Sequence, residues 1–179
     1  QLIPTSPAAE VPMMHRALEV ASEKLVDEIE MQRDLTQAER GELTVAPARL
    51  DAGAMLTSVA GHYIAHPVAD GRAIVVEPLA DPIPLVVDPT ILGRVLGNMV
   101  KNALEAVAVG ATVRLAARVA GDSVRFVVQN PGRMPDAAQK QVFQRSFSTK
   151  GAARGLGTYG MRLLTERYLG GRVWFESGD

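Results

Sequence analysis

This 179-residue sequence predicts a two-layer α/β sandwich, a mixed sheet covered by helices, preceded by one long helix. Three observations predict it. Segments of helical period alternate with short runs rich in β-branched residues. Two of those runs, Thr112–Val119 and Ser123–Gln129, are separated only by a turn containing Gly121-Asp122, which signals a hairpin. Residues 11–40 form the longest glycine-free, helix-favouring stretch and stand apart from the rest.

Residues 1–10 carry two prolines and read as a lead-in. In the helix over 11–40, Pro12 is tolerable in the first turn. Met14, Leu18, Ala21, Leu25 and Ile29 recur at steps of three and four, while Glu19, Glu23, Asp27, Glu28, Glu30 and Asp34 supply an acidic surface. One such stripe cannot bury itself, so the helix predicts a homodimer through residues 11–40, with packing onto its own domain as the alternative. Gly41 ends it, and a short strand is expected near Leu43–Val45. Asp51 can cap a helix reaching about His66. Ala73–Glu77 and Pro84–Val87 read as strands, and Asp88-Pro89 opens a helix to about Val109. After the hairpin, Asp136 is placed to cap a short helix. A helix over 158–168 and a strand at Arg172–Phe175 complete the pattern. The expected division is 1–42 and 43–179.

Composition excludes several classes. The sequence is 47% hydrophobic and 22% charged, with net charge -1, and no apolar run approaches the roughly 20 residues that span a bilayer. There is no basic-then-apolar leader at the start, and the abrupt ends read as a piece of something longer. Without cysteine there is no disulfide, thiol catalysis or Cys-bound zinc. His15, His62 and His66 lack carboxylate spacing that would suggest a metal cluster. Near-neutral charge and 4% aromatics argue against nucleic acid as a partner.

Three stretches carry chemistry. The first is Phe143–Tyr159, FQRSFSTKGAARGLGTY, a loop rich in Gly, Ser, Thr and Lys before an apolar helix. Glycines allow close backbone approach, and the free amides of a helix start favour an anion. From Lys140 to Arg172 seven basic residues stand against one acid, Glu166, so phosphate is the obvious ligand. The second stretch is NMVKNALEA, which sets Asn98 and Asn102 one turn apart beside Lys101 and Glu105. Asn oxygens suit Mg²⁺, which takes phosphate oxygens as further ligands. Alone, the pair fits a solvated polar face as well; beside a phosphate loop the metal reading is favoured. The third is Gln129–Pro135, QNPGRMP, where Asn130 closes a strand and can hydrogen-bond a base edge, or simply make a turn.

Together these blocks resemble a family. NMVKNALEA is similar to the N box of the sensor histidine kinases and their ATPase relatives (DNA gyrase, heat-shock ATPase chaperones, mismatch-repair ATPases). VVQNPGRMP resembles the first glycine box, VFQRSFSTKG the F box and GLGTYGMRLL the second glycine box, in the usual order over about 88–176. The resemblance extends to residues 11–42, which look like the second helix of the dimerisation and histidine-phosphotransfer hairpin.

The resemblance implies a catalytic ATP-binding domain that uses ATP and Mg²⁺ and transfers the γ-phosphoryl to a histidine, for relay to a response regulator receiver domain. It implies that Asn102 ligates Mg²⁺ and that Asn98 lines the phosphates, with Lys101 and Glu105 beside them. Asn130 stands where an Asp accepts the adenine amine, and Gly132 leaves room for the base. Phe143 and Phe147 anchor a lid, and Ser148, Thr149, Lys150 and Arg154 line it, the two cations neutralising phosphate. Gly155, Leu156, Gly157 and Thr158 wrap the triphosphate. Asn98, Asn102 and Lys150 form the expected catalytic set. A bacterial cytoplasmic location is also implied, with any membrane attachment through upstream segments.

The departures are informative. The usual Asp-x-Gly-x-Gly reads Asn-Pro-Gly-Arg-Met here, so adenine is held without a carboxylate and more weakly. Asn98 occupies the position of the water-activating Glu of gyrase-like ATPases and cannot act as a base, which disfavours hydrolysis. His15 precedes Arg16 rather than an acid and lies on the second hairpin helix, so the phospho-accepting histidine is expected upstream. The altered box leaves a degenerate scaffold that does not use ATP as the alternative.

Overall fold

The computed structural model describes residues 7–145 and 157–178. The elements run α1 (Pro7–Arg40), β1 (Ala48–Asp51), α2 (Ala52–Ile64), a 3-10 turn (Pro67–Ala69), β2 (Ala73–Val76), β3 (Pro84–Val87), α3 (Pro89–Ala106), β4 (Thr112–Ala120), β5 (Ser123–Gln129), α4 (Asp136–Gln139) and α5 (Gly157–Arg167). The strands form two sheets. β1 pairs antiparallel with β3, and β4 lies between parallel β2 and antiparallel β5.

Two aspartates set the frame. Asp51 caps α2, its Oδ1 accepting from Ala54 N at 2.9 Å, while its Oδ2 accepts from Ile83 N at 2.8 Å just before β3. Asp88 caps α3 through Thr90 N (2.8 Å) and Ile91 N (3.0 Å), and its other oxygen takes Ala46 N (2.7 Å) from the chain leading into β1. Each carboxylate therefore starts a helix and fixes a neighbouring segment.

The main core lies between the three-stranded sheet and the helices α2 and α3. Leu56, Leu96, Val100, Leu104, Val113 and Leu115 are its largest fully buried members. Along β4, Val113, Leu115 and Ala117 face the helices, while Arg114 and Arg118 are exposed on the other face. A second cluster joins Ala38 of α1, Ile91 and Val95 of α3 and Leu164 of α5. α3 is thus the shared pillar of both.

Three expectations are corrected. The first strand forms at Ala48–Asp51 rather than Leu43–Val45, because its register is set by pairing with β3, Ala48 opposite Val87. Asp136 does not cap α4: Pro135 takes the cap position without a side-chain bond, and Asp136 instead pairs with Arg133 at 3.0 Å. Arg172–Phe175 forms no strand; Trp174 lies under the Arg125 guanidinium of β5 at 5.0 Å, and Ser177 Oγ accepts from Met134 N at 2.9 Å.

Candidate nucleotide site

α3 carries different chemistry on different faces. Gly93 and Gly97 let α2 approach: an added Cβ would lie 3.1 Å from Met55 Cε at Gly93 and 3.2 Å from the Tyr63 hydroxyl at Gly97. Arg94, Asn98, Lys101, Asn102 and Glu105 are half-buried on the remaining surface. Lys101 and Glu105 both take part in side-chain interactions.

Asn98 faces the start of α5. Its Oδ1 lies 3.6 Å from where a Cβ on Gly157 would sit, so the carboxamide meets the first turn of that helix with only a glycine between. The first amides of α5 have no intrahelical acceptor. A carboxamide oxygen opposite a helix N-terminus offers one acceptor for a hard cation and several donors for an anion, which fits a metal–phosphate ligand. Thr158 is half-buried in the same turn. Gly157 and Asn98 are the sequence-predicted residues brought together in this way.

Asn130 lies at the end of β5, where its Nδ2 donates to the carbonyl of Pro131 at 3.0 Å. Gly132 follows with φ +101, a conformation that favours glycine, and with open space where a Cβ would stand. The expected lid residues Phe147, Ser148, Thr149, Lys150, Arg154, Gly155 and Leu156 lie outside the described residues. Phe143 is described and packs against Phe175, ring centroids 6.1 Å apart. Among the described residues no group of three or more His, Asp or Glu is set to hold a metal. His15 is exposed on α1.

Sequence reasoning missed the neighbours of this site. Arg94, one turn before Asn98, holds Asp34 of α1 (Nε to Oδ2, 2.9 Å). Met31 of α1 reaches Gly157, its Cε 3.7 Å and its Sδ 3.8 Å from the glycine's Cβ position. Arg167 and Tyr168, at the other end of α5, donate to the last carbonyls of α1. The spacing of Arg94 and Asn98 was the available signal for the first; nothing in the linear sequence pairs Met31 with Gly157. Two shallow clefts along residues 77–83, lined by Asp51, Thr57, Leu79 and Asp81 and by Ile83, Ala116 and Arg118, share no residue with the Asn face.

The family described as histidine kinase-, DNA gyrase B-, and HSP90-like ATPase matches residues 87–179, slightly more than half of the chain. The sensor protein VanS of Enterococcus faecium is 26% identical over 165 residues, covering 88% of this chain and 41% of that protein. The chain therefore spans less than half the length of that relative. Histidine kinase ThkA in complex with response regulator protein TrrA superposes with a TM-score of 0.70 at 18% identity, covering 98% of this chain and 50% of that one. Full-length ShkA in complex with AMPPNP superposes with a TM-score of 0.67 at 23% identity, covering 92% of this chain and 35% of its own.

Proposed function

The chain belongs to the histidine kinase-, DNA gyrase B- and HSP90-like ATPase family, and on that premise we propose that it is the core of a two-component sensor histidine kinase that binds Mg-ATP and donates the γ-phosphoryl to a histidine. The observation that carries the reading is the meeting of Asn98 Oδ1 with the glycine start of α5. Asn98 and Asn102 would face the triphosphate and its metal, with Lys101 and Glu105 alongside. Asn130 would accept the adenine amine over Gly132, and Ser148, Thr149, Lys150, Arg154, Gly155, Leu156, Gly157 and Thr158 would close around the phosphates with Phe147 as anchor. Bound Mg²⁺ would neutralise phosphate charge in the transfer.

The protein's part is positioning and electrostatics. The α5 amides and lid cations stabilise charge on the transferring group, and the imidazole nitrogen forms the new P–N bond as the bond to the ADP oxygen breaks. Asn98 abstracts no proton, so water is not activated and the phosphoryl is kept for a protein nucleophile. In this reading residues 1–42 are part of the phosphotransfer bundle and 43–179 the catalytic domain. A homodimer through residues 11–40 would supply the bundle, a histidine upstream would accept the phosphoryl and become phosphohistidine, and an aspartate of a response regulator would then receive the group. The neighbours named for a response-regulator complex and for AMPPNP support the regulator and the nucleotide in this reading. No described helix is long and apolar enough to cross a membrane.

Calorimetry of the chain with ATP and Mg²⁺ tests this. Metal-dependent binding that Asn102→Asp disturbs is the expected result. No binding at millimolar nucleotide would return the molecule to the degenerate scaffold that the Asn-Pro-Gly-Arg-Met box allows.

A further inference from the structure

β4 outruns its neighbour. β2 has four residues and β4 nine, and their pairing ends with Val76 opposite Leu115 and one last bond from Glu77 N to Leu115 O at 2.8 Å. The chain then leaves the sheet through residues 77–83. Backbone groups alternate sides along a strand, so the N–H and C=O of Ala117 and Val119 point to the same edge as the carbonyl of Leu115. Among the described residues none bonds to them there.

A cleft of about 330 Å³ lies along that edge, lined by Leu79, Ile83, Ala117, Arg118 and Val119. Its far wall is fixed to α2. Leu79 Cδ1 lies 3.0 Å from where Gly53 would carry a Cβ, Ile83 N donates to Asp51 Oδ2 at 2.8 Å, and Ala52 N donates to Ile83 O at 2.9 Å. The segment that left the sheet is thus held away from the edge, and the opening is preformed.

Charge marks one side of it. Arg114, Arg118 and Arg125 are exposed on the outer face of the three-stranded sheet. Arg118 and Arg125 stand directly opposite each other on neighbouring strands, a like-charge pair that costs stability. Glu77 Oε2 lies 3.6 Å from Arg118 Nη2, whose side chain is still 70% exposed. Arg125 rests over Trp174, its guanidinium 5.0 Å from the ring centroid. Asp81 lies on the opposite wall, so a carboxylate is favoured only on the arginine side.

We infer that the edge of β4 at Ala117–Val119 takes an extended segment of an acidic partner protein as an added strand. Main-chain bonds to Ala117 and Val119 supply the pairing, and a helix has no free main-chain groups to offer them. Alternate side chains fall on opposite faces of such a strand. One set meets Leu79, Ile83 and Val119 and is apolar; the other meets Arg118 and is acidic. A carboxylate there relieves the repulsion between Arg118 and Arg125. The inference is independent of the nucleotide reading.

The probe is a labelled, end-capped Val-Glu-Val-Glu-Val-Glu peptide, titrated into the whole chain by fluorescence anisotropy and followed by amide NMR. Binding should shift the amides of Ala117 and Val119. In the free chain those two amides should exchange faster than those of Ala116 and Arg118, and the peptide should slow them. Lys in place of Glu in the peptide, N-methylation of its backbone, and Arg118→Glu in the protein should each weaken binding about tenfold, the scale of one charged or neutral hydrogen bond. Val119→Pro, which removes an edge donor unused by β5, should do the same at unchanged melting temperature; the N-methylated peptide carries that point should the variant not fold. No binding at millimolar peptide, equal binding of the Lys or N-methylated peptide, or shifts confined to other residues overturns the inference. Protection of Ala117 and Val119 that grows with protein concentration alone assigns the edge to a second copy and overturns it too.

Discussion

Asp88 illustrates how much one side chain can determine. Burial alone would raise its pKa; the amides of Ala46, Ile91 and Thr90 and the nearby charge of Arg94 outweigh burial and hold it below the ordinary carboxylate value. Because the folded value is depressed, the ionised form contributes stability that is complete above the unfolded pKa of about 4 and is lost as pH falls through the folded value. Asp88→Ala should cost about 2 kcal/mol in urea melts at pH 7, and its deficit relative to the unaltered chain should shrink at pH 3. An equal deficit at both pH values would refute the ionic account. Gly157→Ala makes the opposite kind of prediction. The added methyl has ordinary van der Waals room, 3.6 Å from Asn98 Oδ1, and alanine is the better helix former. Melting temperature should hold or rise slightly, while nucleotide affinity falls by about tenfold, or about 1.4 kcal/mol, as the methyl enters the space before the carboxamide.

At the scale of elements, α3 decides the most. Its Leu96 is 1% exposed in the main core, so Leu96→Ala should lose about 2–5 kcal/mol in chemical denaturation. α1 ends by a different device. Gly41, at φ +75, follows the last turn, with Gly41 N donating to Ala38 O (3.2 Å) and Glu42 N to Gln37 O (2.9 Å), the paired bonds of a Schellman ending. A Cβ there would also lie 3.0 Å from Arg167 Nη2. Gly41→Ala should therefore destabilise by about 1 kcal/mol or more and loosen α1 from α5, seen as faster amide exchange over residues 35–42.

At the scale of the molecule, the two ends of α1 are in different situations. Leu25 and Ile29 are 64% and 66% exposed, whereas Leu35 and Ala38 are buried, Ala38 against Ile91, Val95 and Leu164. The exposed apolar residues need a helical partner that this chain does not supply among its described residues, which is the physical ground for a second copy. Light scattering at high concentration should report a dimer, and Leu18→Glu with Leu25→Glu should shift it to monomer without lowering the melting temperature of the domain. A clean monomer at every concentration would remove self-association through this chain alone.

What the sequence determined by itself was local and periodic. The capping carboxylates Asp51 and Asp88, the Gly121 turn, the helical step of Asn98 and Asn102 and the glycine start of α5 were all legible, because each depends on residues a few positions apart. The β-branched runs likewise announced β2 to β5. What only the tertiary structure decided was pairing at long range. β1 formed at Ala48 because β3 and Asp88 lie there to receive it, Asp136 turned to Arg133 instead of capping, and Arg172–Phe175 formed no ladder. The contacts that set Met31 against Gly157 and Arg167 on the end of α1 join residues more than a hundred positions apart. Side-chain chemistry marks which groups can bind; only packing brings them to the same point.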